Sequence, residues 1–142
     1  MRTHRLATAF AAVAAFATIA PVQAQVDLIA RVPFEFAVGN ASLPRDTYRL
    51  SRLTGHQDML VVRSERKGVF VRTDVVRVRR DAEPPSLTFH RYGDQYFLRE
   101  VRLDGSARLD LPQTQAERDA AEHRVDRRGA GVETVVVIAG QQ

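Results

Sequence analysis

The alternation of apolar and polar residues predicts β-strands along most of the chain after residue 24. It is clearest over Gln25 to Val38, where every second residue from Val26 to Phe36 is apolar. This period of two is typical of a half-buried strand. Because Pro33 has no backbone N–H, we expect the strand to lie at a sheet edge there or to carry a bulge.

A second stretch, Leu87 to Arg102, predicts a β-hairpin around which the rest of the chain is organised. Gly93-Asp94 lies between two runs that are rich in aromatic and β-branched residues. This loop suits a type II′ turn, whose first central residue needs φ > 0. The resulting register pairs Tyr92 with Gln95, Arg91 with Tyr96, His90 with Phe97 and Phe89 with Leu98.

Side chains alternate between the two faces of such a hairpin. One predicted face holds Leu87, Phe89, Arg91, Tyr96, Leu98 and Glu100, and we expect its centre to belong to the core. The other holds Thr88, His90, Tyr92, Phe97, Arg99 and Val101.

The candidate site comes from that second face, which brings His90, Tyr92 and Arg99 together. One hypothesis is that His90 and Arg99 hold a small anionic or polar ligand beside Tyr92. The other is a hydrogen-bonded structural cluster, which we favour because buried polar groups usually satisfy one another.

Turn signals divide the remaining chain into short strands and one helix. Strands are predicted over Thr47–Leu53, Met59–Arg63 and Val69–Arg79, the last bent near Asp74, and Thr54–Asp58 is predicted to be a polar loop. Thr114 and Glu117 predict a capping box at the start of a charge-rich helix. Its apolar stripe is thin, so we expect this helix to lie lightly on the surface.

Val132 to Ala139 is a final apolar segment that favours a strand. Left uncovered, it would be a template for edge-to-edge association. We expect it to pair with the first strand and so bring the ends of the mature chain together. The alternative is self-association, in which the segment completes the sheet of a neighbouring molecule.

These patterns predict an all-β, mainly antiparallel fold of about seven or eight strands, with one helix in the C-terminal region. Strands that are separated by turn signals every ~8–12 residues are typical of a small barrel or sandwich. The chain is long enough after residue 24 for one domain, Gln25 to Gln142.

Residues 1–24 have the pattern of a secretory signal peptide. Arg2 and Arg5 precede an Ala-rich apolar run, and Val22-Gln23-Ala24 suits cleavage after Ala24. The alternative, a retained anchor, is disfavoured because the run is short for a membrane span. We therefore expect a protein exported to the periplasm or the outside, with no membrane span after cleavage.

Charge and residue chemistry exclude several function classes. Loss of Arg2 and Arg5 leaves 19 basic against 17 acidic residues, and acids are interspersed almost everywhere. This favours a solvated edge strand rather than a nucleic-acid interface around Arg77, Arg79 and Arg80. The chain has no cysteine, no Gly-x-Ser-x-Gly and no metal-ligand spacing of histidines. We accordingly expect no catalytic residues, no metal and no cofactor.

Several short sequence motifs are spread over nearly all of the mature chain. They are Val32-Pro33-Phe34-Glu35-Phe36, Val38-Gly39-Asn40, Leu43-Pro44, Thr47-Tyr48, Phe89 to Leu98, Ala116-Glu117-Arg118 and Glu133-Thr134-Val135-Val136-Val137. With the signal peptide, this set resembles a family of small, secreted, uncharacterised bacterial proteins. The chain departs from the family's usual Leu-Pro-Ala-Gly-Thr-Tyr phrase at Arg45-Asp46. The resemblance implies export and β architecture, and it implies no site residues.

Three functions remain open at this point. The leading hypothesis is a non-enzymatic exported domain with a binding or envelope-structural role. The second is a carrier of a small apolar ligand inside a barrel, which an enclosed apolar cavity would favour. The third is an enzyme whose site is scattered over several strands.

Overall fold

Short runs with a period of two form the strands of the protein, as the sequence predicts. The computed structural model describes residues 27–79, 83–105, 107–128 and 132–141, so the predicted signal peptide lies outside the described residues. In chain order the elements are β1 (Leu28–Val32), β2 (Phe36–Val38), β3 (Ala41–Leu43), β4 (Asp46–Leu53), β5 (His56–Arg63), β6 (Gly68–Arg72), β7 (Asp74–Arg77), β8 (Ser86–Tyr92), β9 (Gln95–Asp104), β10 (Ala107–Asp110), α1 (Gln115–Arg128), β11 (Glu133–Ile138) and β12 (Gly140–Gln141).

The strands form two mainly antiparallel sheets that curl into a half-barrel. The first sheet has the order β12-β1-β4-β5-β6, and the second has β11-β8-β9-β10-β7. β2 joins the second sheet beside β9 in the one parallel pairing of the described strands, and β3 pairs with β2. The predicted all-β class with one helix is confirmed, whereas about seven or eight strands was too few.

The strand count was too low in part because the chain passes between the sheets within stretches that look continuous in the sequence. The predicted first strand is two strands, β1 and β2, which lie in different sheets and are separated at Pro33. An edge position or a bulge was expected at Pro33; instead β1 ends at Val32, and because β12 pairs only with Leu28 and Ile29, the part of β1 next to Pro33 pairs with β4 alone. The predicted strand over Val69–Arg79 is likewise divided at Thr73 into β6 and β7, close to the expected bend.

The β4–β5 connection is tighter than the sequence suggests. His56 to Asp58 were predicted to belong to a polar loop, but they form the start of β5. The turn is short because Gly55 has a φ of +81°, a backbone conformation that glycine adopts without steric cost.

The hairpin of β8 and β9 has the predicted register as far as Phe89 and Leu98. Gly93 has a φ of +66° and no described non-glycine residue has a positive φ, as the type II′ turn requires. Beyond Leu98 a β-bulge shifts the register, so that Thr88 pairs with Glu100 and Leu87 with Val101.

That bulge reverses part of the predicted face assignment. Val101 was expected on the face of His90, but it is fully buried in the core, and Leu103 follows it there. Glu100, which was expected on the core face, pairs with Thr88 on the opposite one. An extra residue in one strand changes which face every later side chain occupies, and this effect cannot be read from alternation alone.

The core lies between the inner faces of the two sheets. Leu28, Tyr48, Leu50, Leu60 and Val62 fill it from the first sheet, and Leu87, Phe89, Leu98, Val101 and Leu109 fill it from the second. Burial of each large aliphatic or aromatic side chain contributes roughly 1.5–3 kcal/mol. This layer is therefore the main source of stability.

The connection from β1 to β2 adds an aromatic cluster to that core. Phe36 makes edge-to-face contacts with Tyr48 and Phe89, at ring-centroid distances of 5.2 Å each. Phe34 contacts Phe89 edge-on at 5.0 Å and stacks on Tyr96 at 3.8 Å. The crossing at Pro33 is thus held by aromatic packing from both sheets.

The C-terminal segment pairs within the chain, but not with the partner that we expected. β11 lies antiparallel to β8, from Glu133 opposite Arg91 to Ile138 opposite Ser86. Only the short β12 reaches the first strand, where Gly140 pairs with Ile29. The two ends of the described chain are adjacent, as predicted, although through β12.

Candidate functional site

The β8–β9 hairpin brings the three predicted site residues to one place. His90 and Tyr92 lie two residues apart on β8, so their side chains leave the same face. Arg99 lies on β9 at the bulge, between Leu98 and Glu100. The bulge leaves Arg99 without a partner opposite it on β8, and its guanidinium reaches the face of His90 and Tyr92.

The helix α1 carries a fourth residue, Glu117, onto this face. Thr114 caps the helix, since its side-chain oxygen accepts a hydrogen bond from the Glu117 backbone N–H at 3.2 Å. The other half of the predicted capping box does not form. Instead of bonding back to the cap, the Glu117 carboxylate points at the hairpin, where three side chains donate to it.

The Glu117 cluster, which we define as His90, Tyr92, Arg99 and Glu117, is a closed network. The Tyr92 hydroxyl donates to Glu117 Oε1 at 3.1 Å, and His90 Nδ1 lies 3.2 Å from the same oxygen. Arg99 Nη1 donates to Oε2 at 3.0 Å. The Glu117 side chain is 1% exposed, whereas His90 and Arg99 are 32% and 25% exposed.

These contacts give a buried carboxylate the partners that it needs. A carboxylate removed from water is costly unless it is paired and hydrogen-bonded. Arg99 supplies the opposite charge and Tyr92 a neutral donor, while the first turn of α1 adds the positive end of the helix dipole. Because a carboxylate only accepts hydrogen bonds, the geometry places a proton on His90 Nδ1.

The same surroundings raise the pKa of Tyr92 above its ordinary value. Burial is the largest cause, followed by the negative charge of Glu117, while Arg99 acts in the opposite direction. The phenol is thereby held in its protonated form, which is the form that donates to Glu117. Packing of the Tyr92 ring edge-on against Phe97, at 5.8 Å, fixes its orientation.

A second contact joins the helix and the hairpin beyond this cluster. Arg124 Nη1, more than one helical turn after Glu117, donates to the Arg91 carbonyl oxygen at 3.4 Å. Polar contacts therefore dock α1, whose apolar stripe is thin. The expectation that α1 contributes little to the core is correct in that its single buried side chain among those described is Glu117.

A separate charged ladder crosses β9 and β10. Arg102 pairs with Glu83 and lies 3.5 Å from Glu100, while Arg108 lies 2.8 Å from Asp110. Burial raises the pKa of Glu100, although Arg108 opposes the shift. The hydrogen bond to Asp110 raises the pKa of Arg108. Charges alternate along this ladder, as they do in a self-compensating surface network.

The three surface grooves that described residues line contain no member of either charged cluster. Three grooves lined by described residues, of about 410, 550 and 500 Å³, are open to solvent. None of the three is lined by a member of the Glu117 cluster or by Glu100. The nearest, of about 410 Å³, is lined by Tyr96, Phe97 and Ala116 among others. These grooves provide no enclosed apolar space of the kind that a carrier would use.

The remaining histidines of the described chain do not join the site. His56 is exposed at the start of β5, and His123 Nδ1 contacts the Asp119 carbonyl oxygen within the helix at 2.7 Å. Within the described ranges no group of three or more His, Asp or Glu side chains is arranged to hold a metal ion.

Sequence reasoning found three of the four cluster residues and missed Glu117. Glu117 is the third residue of the helix, a position that predicts a role in capping. That role was sufficient to explain a glutamate there. The signal that could have found it is a mismatch of chemistry: His90, Tyr92 and Arg99 are all donors on one face, and such a set needs an acceptor. The carboxylate that meets this need is 18 residues away in the chain from Arg99.

Comparison with known proteins adds no further assignment, since no family model, curated protein or solved structure matches the chain. In the part of the chain that the structure describes, no helix is both long and apolar enough to cross a membrane.

Proposed function

We propose that the chain is an exported, non-enzymatic β domain with a binding or envelope-structural role, in which the Glu117 cluster is structural. The carrying observation is the position of the Glu117 carboxylate. It occupies the place between His90, Tyr92 and Arg99 that a small anionic ligand would take, and it is almost completely buried. The donors that would recognise such a ligand are thus used to dock α1.

The placement of the ionisable groups supports the non-enzymatic part of the proposal. A reaction needs a cleft where a substrate meets an acid or base with a suitable pKa. The pKa values of Tyr92 and Glu100 are raised, but neither residue lines any of the three described grooves.

Export is proposed from residues 1–24 and from the family resemblance. Its test is N-terminal sequencing of protein recovered from the producing cell's periplasm or medium. We expect the mature chain to begin at Gln25, as cleavage after Ala24 requires. Recovery of chains that begin at Met1 would refute cleavage and restore the retained-anchor hypothesis.

The structural role of the cluster is tested by native mass spectrometry of the same material. We expect the mass of the polypeptide alone, or of a complex that Arg99→Gln and His90→Gln leave intact. A small molecule that is present in the unchanged protein and lost in both variants, while their folds are retained, would show that the cluster binds a ligand. Glu117 would then compete with that ligand for the same donors.

A further inference from the structure

The outer face of the first sheet carries an arginine cluster in which, among the described residues, Arg49 alone forms an ion pair. We define the cationic face as Arg31, Arg45, Arg49 and Arg63. Arg31, Arg49 and Arg63 come from β1, β4 and β5, and Arg45 precedes β4. Their neighbours along each strand are the buried core residues, so the alternation of the strands turns all three strand arginines outward.

The register places two of these cations directly opposite each other. Arg49 on β4 pairs with Arg63 on β5 and, on its other side, with Ile29 on β1. Arg31 lies two residues further along β1, opposite Thr47. Like charges directly opposite on neighbouring strands are destabilising. The fold therefore carries a local electrostatic cost at this face.

Nearby acidic residues offset part of this cost. Arg49 lies 3.8 Å from Asp27, and its side chain is 48% exposed. The side chains of Arg31, Arg45 and Arg63 form no hydrogen bond or ion pair with the other residues that the structure describes. Two more acidic residues line the same surface: Asp46, which accepts the Thr47 backbone N–H at 2.8 Å, and Glu65, in the exposed turn after β5.

Two open grooves run along these arginines. One, of about 550 Å³, is lined by Arg49, Arg63, Ile29 and Tyr48 among others. The next, of about 500 Å³, is lined by Arg31 and Arg45. Both also include Asp46 and Thr47, so they adjoin one another. An extended anionic surface could therefore reach all four guanidinium groups at once.

An exposed aromatic residue lies on the same face. Phe70 on β6 is 65% exposed and pairs with Val61 on β5, two residues before Arg63. Val61 and Met59, which lie two residues apart on β5, are half-buried. Together with Phe70 they form an apolar strip on this face. Apolar and aromatic side chains next to cations are typical of surfaces that sit at the headgroup level of an anionic membrane.

We propose that the cationic face docks on the headgroups of an anionic lipid bilayer. The arginines would bind headgroup phosphates, for which the planar guanidinium is well suited, and Phe70 would enter the boundary below them. The apolar strip favours lipid over nucleic acid, which would offer Phe70 only a base to stack on. This inference rests on the proposed binding role, but it does not depend on the Glu117 cluster.

The test measures partition onto vesicles of phosphatidylcholine alone and of phosphatidylcholine mixed with phosphatidylglycerol. The protein is used as recovered from the producing cell, with its mass measured so that any retained leader is recognised. The test variant is R49Q/R63Q, and the matched control is R77Q/R79Q. The control removes the same charge from exposed arginines in and just after β7, in the other sheet.

We expect binding to the mixed vesicles only, weakening as salt is raised. R49Q/R63Q should lower the partition coefficient roughly 25-fold, at about fivefold for each arginine near an anionic surface. R77Q/R79Q should leave it nearly unchanged. Phe70→Ser should weaken binding while the salt dependence persists, because it removes contact area and no charge.

Three results would overturn the inference. They are equal binding to both kinds of vesicle, equal losses in the two double variants, and tighter binding to an oligonucleotide than to the mixed vesicles. If the protein does not bind the vesicles but native mass spectrometry finds another ligand, the lipid inference fails and the binding role stands. If the vesicle experiment shows no binding and native mass spectrometry finds no ligand, the binding role fails as well and a purely structural role remains.

Discussion

Arg99 Nη1 lies 3.0 Å from Glu117 Oε2, and this pair joins a bulge in a β-strand to the first turn of the helix. The bulge frees Arg99 from the alternation of β9, and the cap at Thr114 sets the position of Glu117. Two local irregularities thus meet in one contact. The consequence is that α1, whose apolar surface is small, is docked mainly by charge and hydrogen bonds.

Removal of the carboxylate should destabilise the domain. Glu117→Ala leaves Arg99 and the Tyr92 hydroxyl without their acceptor, and breaking a buried pair in this way costs about 3 kcal/mol when the remaining charge can partly reach water. Glu122→Ala, an exposed glutamate of the same helix, should change the free energy of unfolding by less than about 0.5 kcal/mol. Urea unfolding measures both values, and similar values for the two variants would contradict a structural Glu117 cluster.

Stability should fall at high pH, in part because of Tyr92. Burial, and then the charge of Glu117, raise the Tyr92 pKa above its ordinary value of 10.0, so the folded state favours the protonated phenol. The contribution of this group is fully present below about pH 10 and is lost as the pH rises through the higher pKa of the folded protein.

Tyr92→Phe should therefore lose less stability than the unchanged protein between neutral and strongly alkaline pH. Part of the alkaline loss should remain, because burial also raises the pKa of Tyr48. At neutral pH the variant should be about 1 kcal/mol less stable, the usual value of one hydrogen bond. An unchanged alkaline loss in Tyr92→Phe would mean that the phenol is not held as the structure shows.

Two phenylalanines test the assignment of the core. Phe89 is fully buried and contacts Phe34 and Phe36, whereas Phe70 is 65% exposed. Phe89→Ala should lower the free energy of unfolding by ~3–5 kcal/mol, which is the usual cost for a core phenylalanine. Phe70→Ala should cost less than about 0.5 kcal/mol. If a thermal melt shows Phe89→Ala to be silent, the core is placed wrongly.

The C-terminal segment is tested by deletion of Val132 to Gln142. This removes β11 and β12, uncovers the edge of β8, and takes away Val135 and Val137, which pack against the core. We expect the shortened protein to melt at lower temperature and to aggregate, because an open apolar edge is a template for association. Light scattering and size-exclusion chromatography measure this.

Two other outcomes of the deletion have clear meanings. A stable monomer obtained from a full chain that is an oligomer would show that the segment pairs between molecules. A shortened protein as stable and as soluble as the full chain would show that β11 contributes nothing. Val137→Ala and Val136→Ala form a finer comparison, since Val137 is turned toward the core and Val136 is 54% exposed.

The sequence was a good guide where structure depends on a few neighbouring residues. The register of the hairpin followed from Gly93-Asp94, and the start of α1 followed from Thr114. Turn and cap chemistry is local, so single residues determine it. His90 and Tyr92 were placed together for the same reason, because alternation over two residues is reliable.

The sequence was a poor guide where the structure depends on how two distant segments of the chain pair or pack. The division of the first strand at Pro33 depends on which sheet accepts β2, and the partner of β11 depends on which edge is free. The bulge at Arg99 is invisible in a strand that alternates normally on both sides. Glu117 and the cationic face were missed because their members lie far apart in the chain and come together only through the pairing of strands and the docking of the helix.

The central claim is that Arg99 and the rest of its donor set hold Glu117. A double-mutant cycle with Arg99→Ala, Glu117→Ala and the combined variant tests it most directly, by measuring the free energy of unfolding of all four proteins at neutral pH. For residues in one hydrogen-bonded network we expect a coupling energy of about 1–3 kcal/mol, with the double variant less destabilised than the sum of the single variants. A coupling energy indistinguishable from zero would show that the two side chains act independently, and it would contradict the structural role of the cluster.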